Sequence, residues 1–565
     1  MRRTEWVLDR TEAIGERGMV AAKHELAAEA GAQVLEAGGN AVDAAVVTAF
    51  TVGVVEPFMN GIGGGGLMLI YLSDRRQTVA IDFAMAAPRA ARPDMYELLD
   101  ATSPSMFGWR AVRDDANIHG PLSIAVPGTV AGLALAAERY GTMPLRELIQ
   151  PAIRYARDGF PVSWHTSLEI AQDLELLNRY PSSRAIFTRD GLPWPVLTGQ
   201  EQTTLVQADL ARSLEAIAEH GPDVFYRGEL GRALVERLRE LGAILTEDDL
   251  RSYEVRVSEP LWGRYRGHRV AAAPAPSGGP TLLECLHLME HFDLRASGHN
   301  TVETLHRLIE VFRQAFVDRF AYLADPAFAE VPVSALIDPA YAREQAARIG
   351  GRARPTVEPG DPERLGVRQR YARSMPNYGA GSTTHLSVVD RWGNAVSLTQ
   401  TLLSAWGSRV VAPGTGILMN NGMMWFDPEP GRANSIEPGK RPLANMSPAL
   451  VFEGERVYLS LGAMGGRKII NALAQIISNV VDHGMGIQAA ITAPRIDCSV
   501  QPAQVSSRID PEVIQGLRAR GHRLQVVVED VGNVPFASPV GILVEADGTL
   551  RGGANPYYPA MAIGI

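Results

Sequence analysis

Two runs late in the chain constrain it most: Thr383-Thr384-His385-Leu386-Ser387-Val388-Val389-Asp390 and Asn394-Ala395-Val396-Ser397-Leu398-Thr399-Gln400-Thr401-Leu402, joined by Arg391-Trp392-Gly393. They are rich in β-branched residues and separated by a short glycine-containing turn, which predicts a β-hairpin. Facing Asp390 with Asn394 sets the register and puts Thr383 opposite Thr401. Directly opposed residues project on one face of a sheet, so two hydroxyls meet at the start of a strand. The stretch ahead of them, residues 350–382, is rich in Gly, Pro and Arg with little apolar periodicity and predicts a long surface loop. Threonine suits strands whatever its chemistry, so the hairpin by itself predicts structure, not activity.

The placement nonetheless suits a nucleophile. A threonine hydroxyl needs a base beside it, and a chain cut before Thr383 would supply one in the freed α-amine. Thr401 would then orient the Thr383 hydroxyl. Further on, a short strand from Val457 to Leu461 is expected to run into Gly462-Ala463-Met464-Gly465-Gly466, with a helix starting near Arg467. Successive N–H groups at Gly465 and Gly466, ahead of a helix, suit a developing oxyanion. A glycine turn needed for packing gives the same pattern.

The remaining composition narrows the classes. At 565 residues the chain has room for one large or two intimate domains. Its 46% hydrophobic and 21% charged content is that of a soluble enzyme. The net charge is −9, and Lys and Arg are dispersed, so no basic stripe points to nucleic acid. Cys285 and Cys498 form no CxxC pattern and read as structural thiols. The 12 histidines show no HExxH or comparable spacing, and no GxSxG elbow occurs; no metal or cofactor is expected. His385 shares the Thr383 face and reads as a satisfied structural histidine. The longest apolar stretch, Ala44 to Val55, is too short to cross a bilayer, and the first residues lack the apolar core of a secretory signal, so a cytoplasmic location without a membrane partner is expected.

The first half is helical in pattern. Residues 24–37 predict a helix stopping at Gly38-Gly39; Asn40 caps a second, with Asp43 in the capping-box position, apolar all round and therefore buried. After Glu56-Pro57 comes Asn60-Gly61-Ile62-Gly63-Gly64-Gly65-Gly66, then a strand at 67–72. With no Lys-Ser or Lys-Thr and a strand rather than a helix behind it, this run reads as close backbone approach, not a phosphate loop. Helices are expected at 129–139, 144–157, 206–220, 228–241 and 301–322.

In their order along the chain, Gly38-Gly39-Asn40-Ala41-Val42-Asp43-Ala44-Ala45, the Gly63–Gly66 run, Pro127-Gly128-Thr129, Asp158-Gly159-Phe160, Thr383–Asp390, Gly393-Asn394-Ala395-Val396, Gly416-Ile417-Leu418-Met419-Asn420-Asn421, Lys440-Arg441-Pro442-Leu443, Met446-Ser447-Pro448 and Gly465-Gly466 resemble the γ-glutamyltranspeptidases, from about Gly18 to Gly553. The resemblance implies an α+β fold, a four-layer αββα N-terminal-nucleophile sandwich with a helix-rich N-terminal part. It implies self-cleavage between Ser382 and Thr383 into a large subunit, 1–382, and a small subunit, 383–565, that together form one unit. It makes Thr383 the nucleophile, Thr401 its supporting threonine, Gly465 and Gly466 the oxyanion hole, and a small-molecule amide the substrate.

The acyl-reading positions depart from the family. Leu403 stands where an asparagine is expected, Gly422 where a glutamine follows Asn421, Trp425 where an aspartate meets the substrate ammonium, and Ala444-Asn445 where a serine pair is expected. The clamping arginine falls at Pro93, beside Arg92, and a second near the C-terminus at Tyr557. An ammonium buried against Trp425 and Leu403 lacks its partner, so an acyl group without an α-amine is expected, with Arg92 meeting a distal carboxylate. Phe426 to Lys440, a lid in many family transferases, is short here, which favours hydrolysis over transpeptidation. A genuine γ-glutamyltransferase or glutathione hydrolase, an oxamate amidohydrolase, a glutaryl (cephalosporin) acylase and a non-catalytic binding protein on this fold are the alternatives.

Overall fold

The computed structural model describes residues 7–103, 109–196, 203–367, 382–531 and 535–565. Numbered along the chain, its main strands are β1 (Ala13–Gly15), β2 (Gly18–Ala22), β3 (Gly65–Leu72), β4 (Gln77–Phe83), β5 (Arg256–Ser258), β6 (Leu261–Tyr265), β7 (His268–Ala272), β8 (Thr384–Asp390), β9 (Ala395–Thr401), β10 (Ala449–Glu453), β11 (Arg456–Met464), β12 (Ser538–Val544), β13 (Leu550–Ala554) and β14 (Met561–Gly564). They build two seven-stranded sheets in the orders β14-β2-β8-β9-β3-β4-β5 and β1-β13-β12-β11-β10-β7-β6. Every pairing within them is antiparallel. β8 and β9 of one sheet face β11 of the other.

Helices cover the outer faces. α1 (Glu25–Glu36) and α2 (Ala41–Val55) lie on the first sheet; α3 (Gly279–Met289) and α5 (Lys468–Val481) lie on the second, with α4 (Val302–Tyr322) packed on α3. The layers run α-β-β-α, and the chain is α+β. α2 is apolar on every side because it is enclosed on every side: all its residues but Gly53 are buried. Its two threonines are made fit for that setting by donating back to Ala44 O and Val47 O, at 2.7 Å each. The capping box forms as expected, and Asp43 also accepts from Thr142 N at 2.9 Å. Gly31 lets α1 approach, since a Cβ there would stand 2.2 Å from Thr48 Oγ1.

Two expectations change. The helix predicted over 144–157 divides into Leu145–Leu148 and Gln150–Asp158, with Pro151 in the first turn of the second piece, where its missing N–H does no harm. The predicted loop after residue 350 is pinned along α4 as far as residue 367: Arg354 Nε donates to Glu310 Oε2 at 2.6 Å, Gly360 N to Asp318 Oδ1 at 2.7 Å, and Pro362–Leu365 makes a short helix. Arg354, which reads as loop composition, is the partner of the buried Glu310 of α4, while Arg364 pairs with Glu344 at 3.5 Å. Residues 368–381 of that loop lie outside the described residues. Among the described residues no helix is long and apolar enough to cross a membrane.

Candidate active site

β8 and β9 pair from Thr384↔Gln400 to Val389↔Ala395. One step further, Thr383 Oγ1 lies 3.3 Å from Thr401 Oγ1, both buried. The register read from the sequence therefore brings the two hydroxyls together. What they share is the carbonyl oxygen of Ser382, which accepts from Thr401 Oγ1 at 2.6 Å and also from Thr383 Oγ1. Leu403 N–H donates to Thr401 Oγ1 at 2.7 Å, which commits that hydroxyl's own hydrogen to the carbonyl.

The 382–383 peptide is gripped on both sides. Ser382 N donates to Leu403 O at 3.0 Å, and Ser382 Oγ donates to Phe58 O at 2.9 Å. Leu403 sits at φ +94°, costly for a side chain with a Cβ, and is held there because Leu402 N donates to Met59 O and Ser404 N to Asn421 Oδ1, at 3.1 Å each. The polypeptide between α2 and the glycine run thus forms one jaw and residues 401–403 the other.

The glycine turn arrives at the same end of the sandwich. Ser460 Oγ donates to Val396 O and Ser397 Oγ to Leu461 O, both at 3.1 Å, so β9 and β11 run the same way in facing sheets. Five residues past Val396 lies Thr401, and five past Ser460 lies Gly465. Gly465 and Gly466 take φ of +133° and +62° just ahead of α5, so their amides precede a helix N-terminus. A Cβ on Gly465 would stand 2.7 Å from Ala537 Cα.

His385 fills the space between the sheets over Gly462, where a Cβ would meet its ring at 2.1 Å. Its Nδ1 lies 2.8 Å from Thr399 Oγ1 and its Nε2 3.2 Å from Ser387 Oγ. Burial pushes its pKa down to about 3. The unfolded chain, with an ordinary imidazole near 6.5, binds the proton first as pH falls, so stability is lost from about pH 6.5 toward 3, by at most ~1.4 kcal/mol per pH unit from this group. Melting temperature should fall over that window in wild type and fall less steeply in His385→Asn; parallel slopes would count against this account.

The acyl-reading positions gather, with one exception. Leu403, Trp425 and Ala444 join Met85, Tyr96 and Met446 in one buried apolar cluster. Gly422 abuts it: a Cβ there would stand 2.7 Å from Ala125 Cβ and 3.2 Å from Met85 Cβ, so a longer side chain does not fit without movement. Asn421 is consumed internally, its Nδ2 donating to Ile118 O at 2.6 Å and Ser404 Oγ at 2.7 Å. Asn445 Oδ1 accepts from the buried Arg319 at 3.0 Å. The expectation for Arg92 is corrected: it lies on the surface, its side chain 70% exposed and paired with Asp94 at 3.3 Å. Water solvates the guanidinium there better than the apolar cluster would. Tyr557 is buried. Cys285 and Cys498 are buried free thiols whose pKa burial pushes up. The carbonyls of Phe58 and Met59 carry no sequence signal as jaw elements, because any residue supplies a carbonyl.

Comparison with known proteins agrees with this arrangement. A family model described as Gamma-glutamyltranspeptidase matches residues 27–564. The glutathione hydrolase proenzyme of Bacillus subtilis (strain 168) is 35% identical over 565 residues, covering 98% of this chain and 92% of its own. The acylase ACY 1 proenzyme of Pseudomonas sp. (strain V22) is 38% identical over 551 residues, covering 97% and 94%. The crystal structure of a cephalosporin acylase from Bacillus halodurans superposes with a TM-score of 0.87 at 29% identity, over 100% of this chain and 99% of the other. This chain belongs to the γ-glutamyltranspeptidase family and is an amidohydrolase or acyltransferase of the N-terminal-nucleophile class.

Proposed function

We propose that the protein cuts itself between Ser382 and Thr383 and then uses Thr383 to hydrolyse amides of small dicarboxylic-type acyl groups that lack an α-amine. The observation carrying the first half is the Ser382 carbonyl oxygen, held by the hydroxyls of both Thr383 and Thr401. In maturation Thr383 Oγ1 attacks the Ser382 carbonyl carbon while Thr401 donates to its oxygen. The C–N bond breaks, its nitrogen takes the hydroxyl proton, and an ester links Ser382 to Thr383. Water cleaves the ester, leaving a carboxylate on Ser382 and a free α-amine on Thr383.

In turnover that amine takes the hydroxyl proton as Oγ1 adds to the substrate carbonyl. The oxyanion is met by the N–H groups of Gly465 and Gly466, and collapse expels the substrate's amine, which carries the proton away. Water then releases the acid from the Thr383 ester. The short Phe426–Lys440 segment, closed on itself by Asn434 Nδ2 donating to Trp425 O at 2.6 Å, supports water as the acceptor.

The acyl preference rests on Leu403, Gly422, Trp425 and Ala444, which offer a buried ammonium no charged partner. Leaving such a charge unpaired costs several kcal/mol, of which cation–π contact with Trp425 offsets about 2. A glutaryl anilide should therefore exceed the γ-glutamyl anilide in kcat/KM by about tenfold or more. Relatives named as glutathione hydrolases and as acylases make both outcomes chemically accessible. A γ-glutamyl preference would sink the acyl assignment, and strong acceleration by Gly-Gly with an acyl-dipeptide product would sink the preference for hydrolysis.

A further inference from the structure

Lys23 directly follows β2 and is fully buried. An ammonium costs several kcal/mol to bury unless it is well paired, yet among the described residues no carboxylate makes an ion pair with it. Instead Nζ donates to Ser538 Oγ and sits 3.6 Å from the centre of the Tyr558 ring. Ser538 pairs with Met464, the residue before Gly465. Ala537, at φ +62°, packs against Gly465 itself. The hydrogen bond from Lys23 thus ends on the corner that supports the glycine turn.

The other side of the lysine faces the nucleophile strand. Glu56, at the end of α2, feels its charge, as does His385, two residues along the same face from Thr383. The Glu56 carboxyl is buried against the hydroxyls of Tyr558 and Thr384, which lower its pKa against the larger raising effect of burial. The titratable groups around Lys23 are Arg10, His24, Glu56, His165, Glu169 and His385. Burial holds the imidazoles neutral and pushes both carboxyls up. Burial also lowers the Lys23 ammonium, to about 7, against the raising charge of Glu56, so its positive charge is present in acid and is lost as pH rises through that value.

We infer that Lys23 is a positioning residue of the reaction: its ammonium fixes the Ala537–Ser538 corner beneath the Gly465 turn and keeps a positive charge between that turn and the Thr383 strand. The inference rests on Thr383 being the nucleophile. Two consequences follow from the charge. It stabilises a developing oxyanion across a medium of low dielectric. It also disfavours protonation of the nearby Thr383 α-amine, which extends activity to lower pH.

The test is kcat and KM for amide hydrolysis across pH 5–9 in self-processed wild type, Lys23→Met and Ser538→Ala, with melting temperatures alongside. Lys23→Met should lower kcat about tenfold, leave KM within about threefold, and move the acid limb of kcat up by about half a pH unit. Ser538→Ala, which frees the ammonium from its anchor, should lower kcat about threefold, and it serves as the test if the lysine variant does not fold. An unmoved pH profile with unchanged kcat, or a loss confined to melting temperature, overturns the inference. A wild type that neither cuts itself nor hydrolyses amides overturns the nucleophile assignment instead.

Discussion

Thr383→Ala stays a single 61.1 kDa polypeptide and loses amide hydrolysis altogether, while wild type separates into two pieces, the second beginning Thr-Thr-His-Leu-Ser. The expectation is this severe because one oxygen serves both events. On the proposed reading Thr383 Oγ1 is the attacking atom in maturation, because it belongs to the residue whose nitrogen leaves the Ser382 carbonyl, and Thr401 Oγ1, which donates to that carbonyl's oxygen at 2.6 Å, meets the charge developing there. In the proposed turnover the base is the Thr383 α-amine, which exists only after the cut. Losing the nucleophile therefore removes the base as well. Intact mass and N-terminal sequencing of both proteins decide it. Alanine barely disturbs the packing, since only a hydroxyl and a methyl leave a site already closed by Leu403 and Phe58, so melting temperature should change by a few degrees at most. A Thr383→Ala chain still cut after Ser382 would falsify the assignment. A wild type that stays whole on incubation would favour a binding protein built on this fold.

Much of this site was legible because its information is local. The Thr383–Thr401 register followed from a turn of known length and the two-residue period of strands, and a one-residue slip would have placed the hydroxyls on opposite faces. The Asn40–Asp43 capping box and the enclosed α2 were equally local. What sequence could not supply was long-range. Arg92 was expected at the acyl group because it adjoins the position of a family arginine, but adjacency along the chain says nothing of side, and its side chain lies in solvent beside Asp94. The strand of Gly18–Ala22 ends in a lone lysine, a weak mark that gains meaning only when β12 and Tyr558 are seen to close over it. Arg354 reads as loop composition because its partner, Glu310, lies more than forty residues earlier in the chain.

If maturation and turnover use different oxyanion donors, as proposed above, Gly465→Ala is the most informative variant after the nucleophile. In the uncut chain the Ser382 oxygen is held by Thr401 and Thr383 hydroxyls. The Gly465–Gly466 turn takes no part in that set of hydrogen bonds. A Cβ at Gly465 meets Ala537 Cα at 2.7 Å and Ala537 Cβ at 2.8 Å, and φ +133° suits glycine alone. The turn must shift, and its N–H groups then point away from the substrate oxyanion. Losing one such donor costs about 3–4 kcal/mol, or roughly 10²–10³ in kcat. Gly465→Ala should therefore cut itself at a rate within about tenfold of wild type yet turn over substrate roughly 10²–10³ times more slowly, with KM little changed. Thr401→Val should do the converse at the first step: it keeps the shape, removes the donor to the Ser382 carbonyl, and leaves the chain largely uncut. Time courses of cleavage by gel, set beside kcat of the processed fraction, separate the two. Equal slowing of cleavage and turnover in Gly465→Ala would mean that one oxyanion site serves both reactions, and that the Ser382 carbonyl leaves Thr401 for the glycine turn before it is attacked.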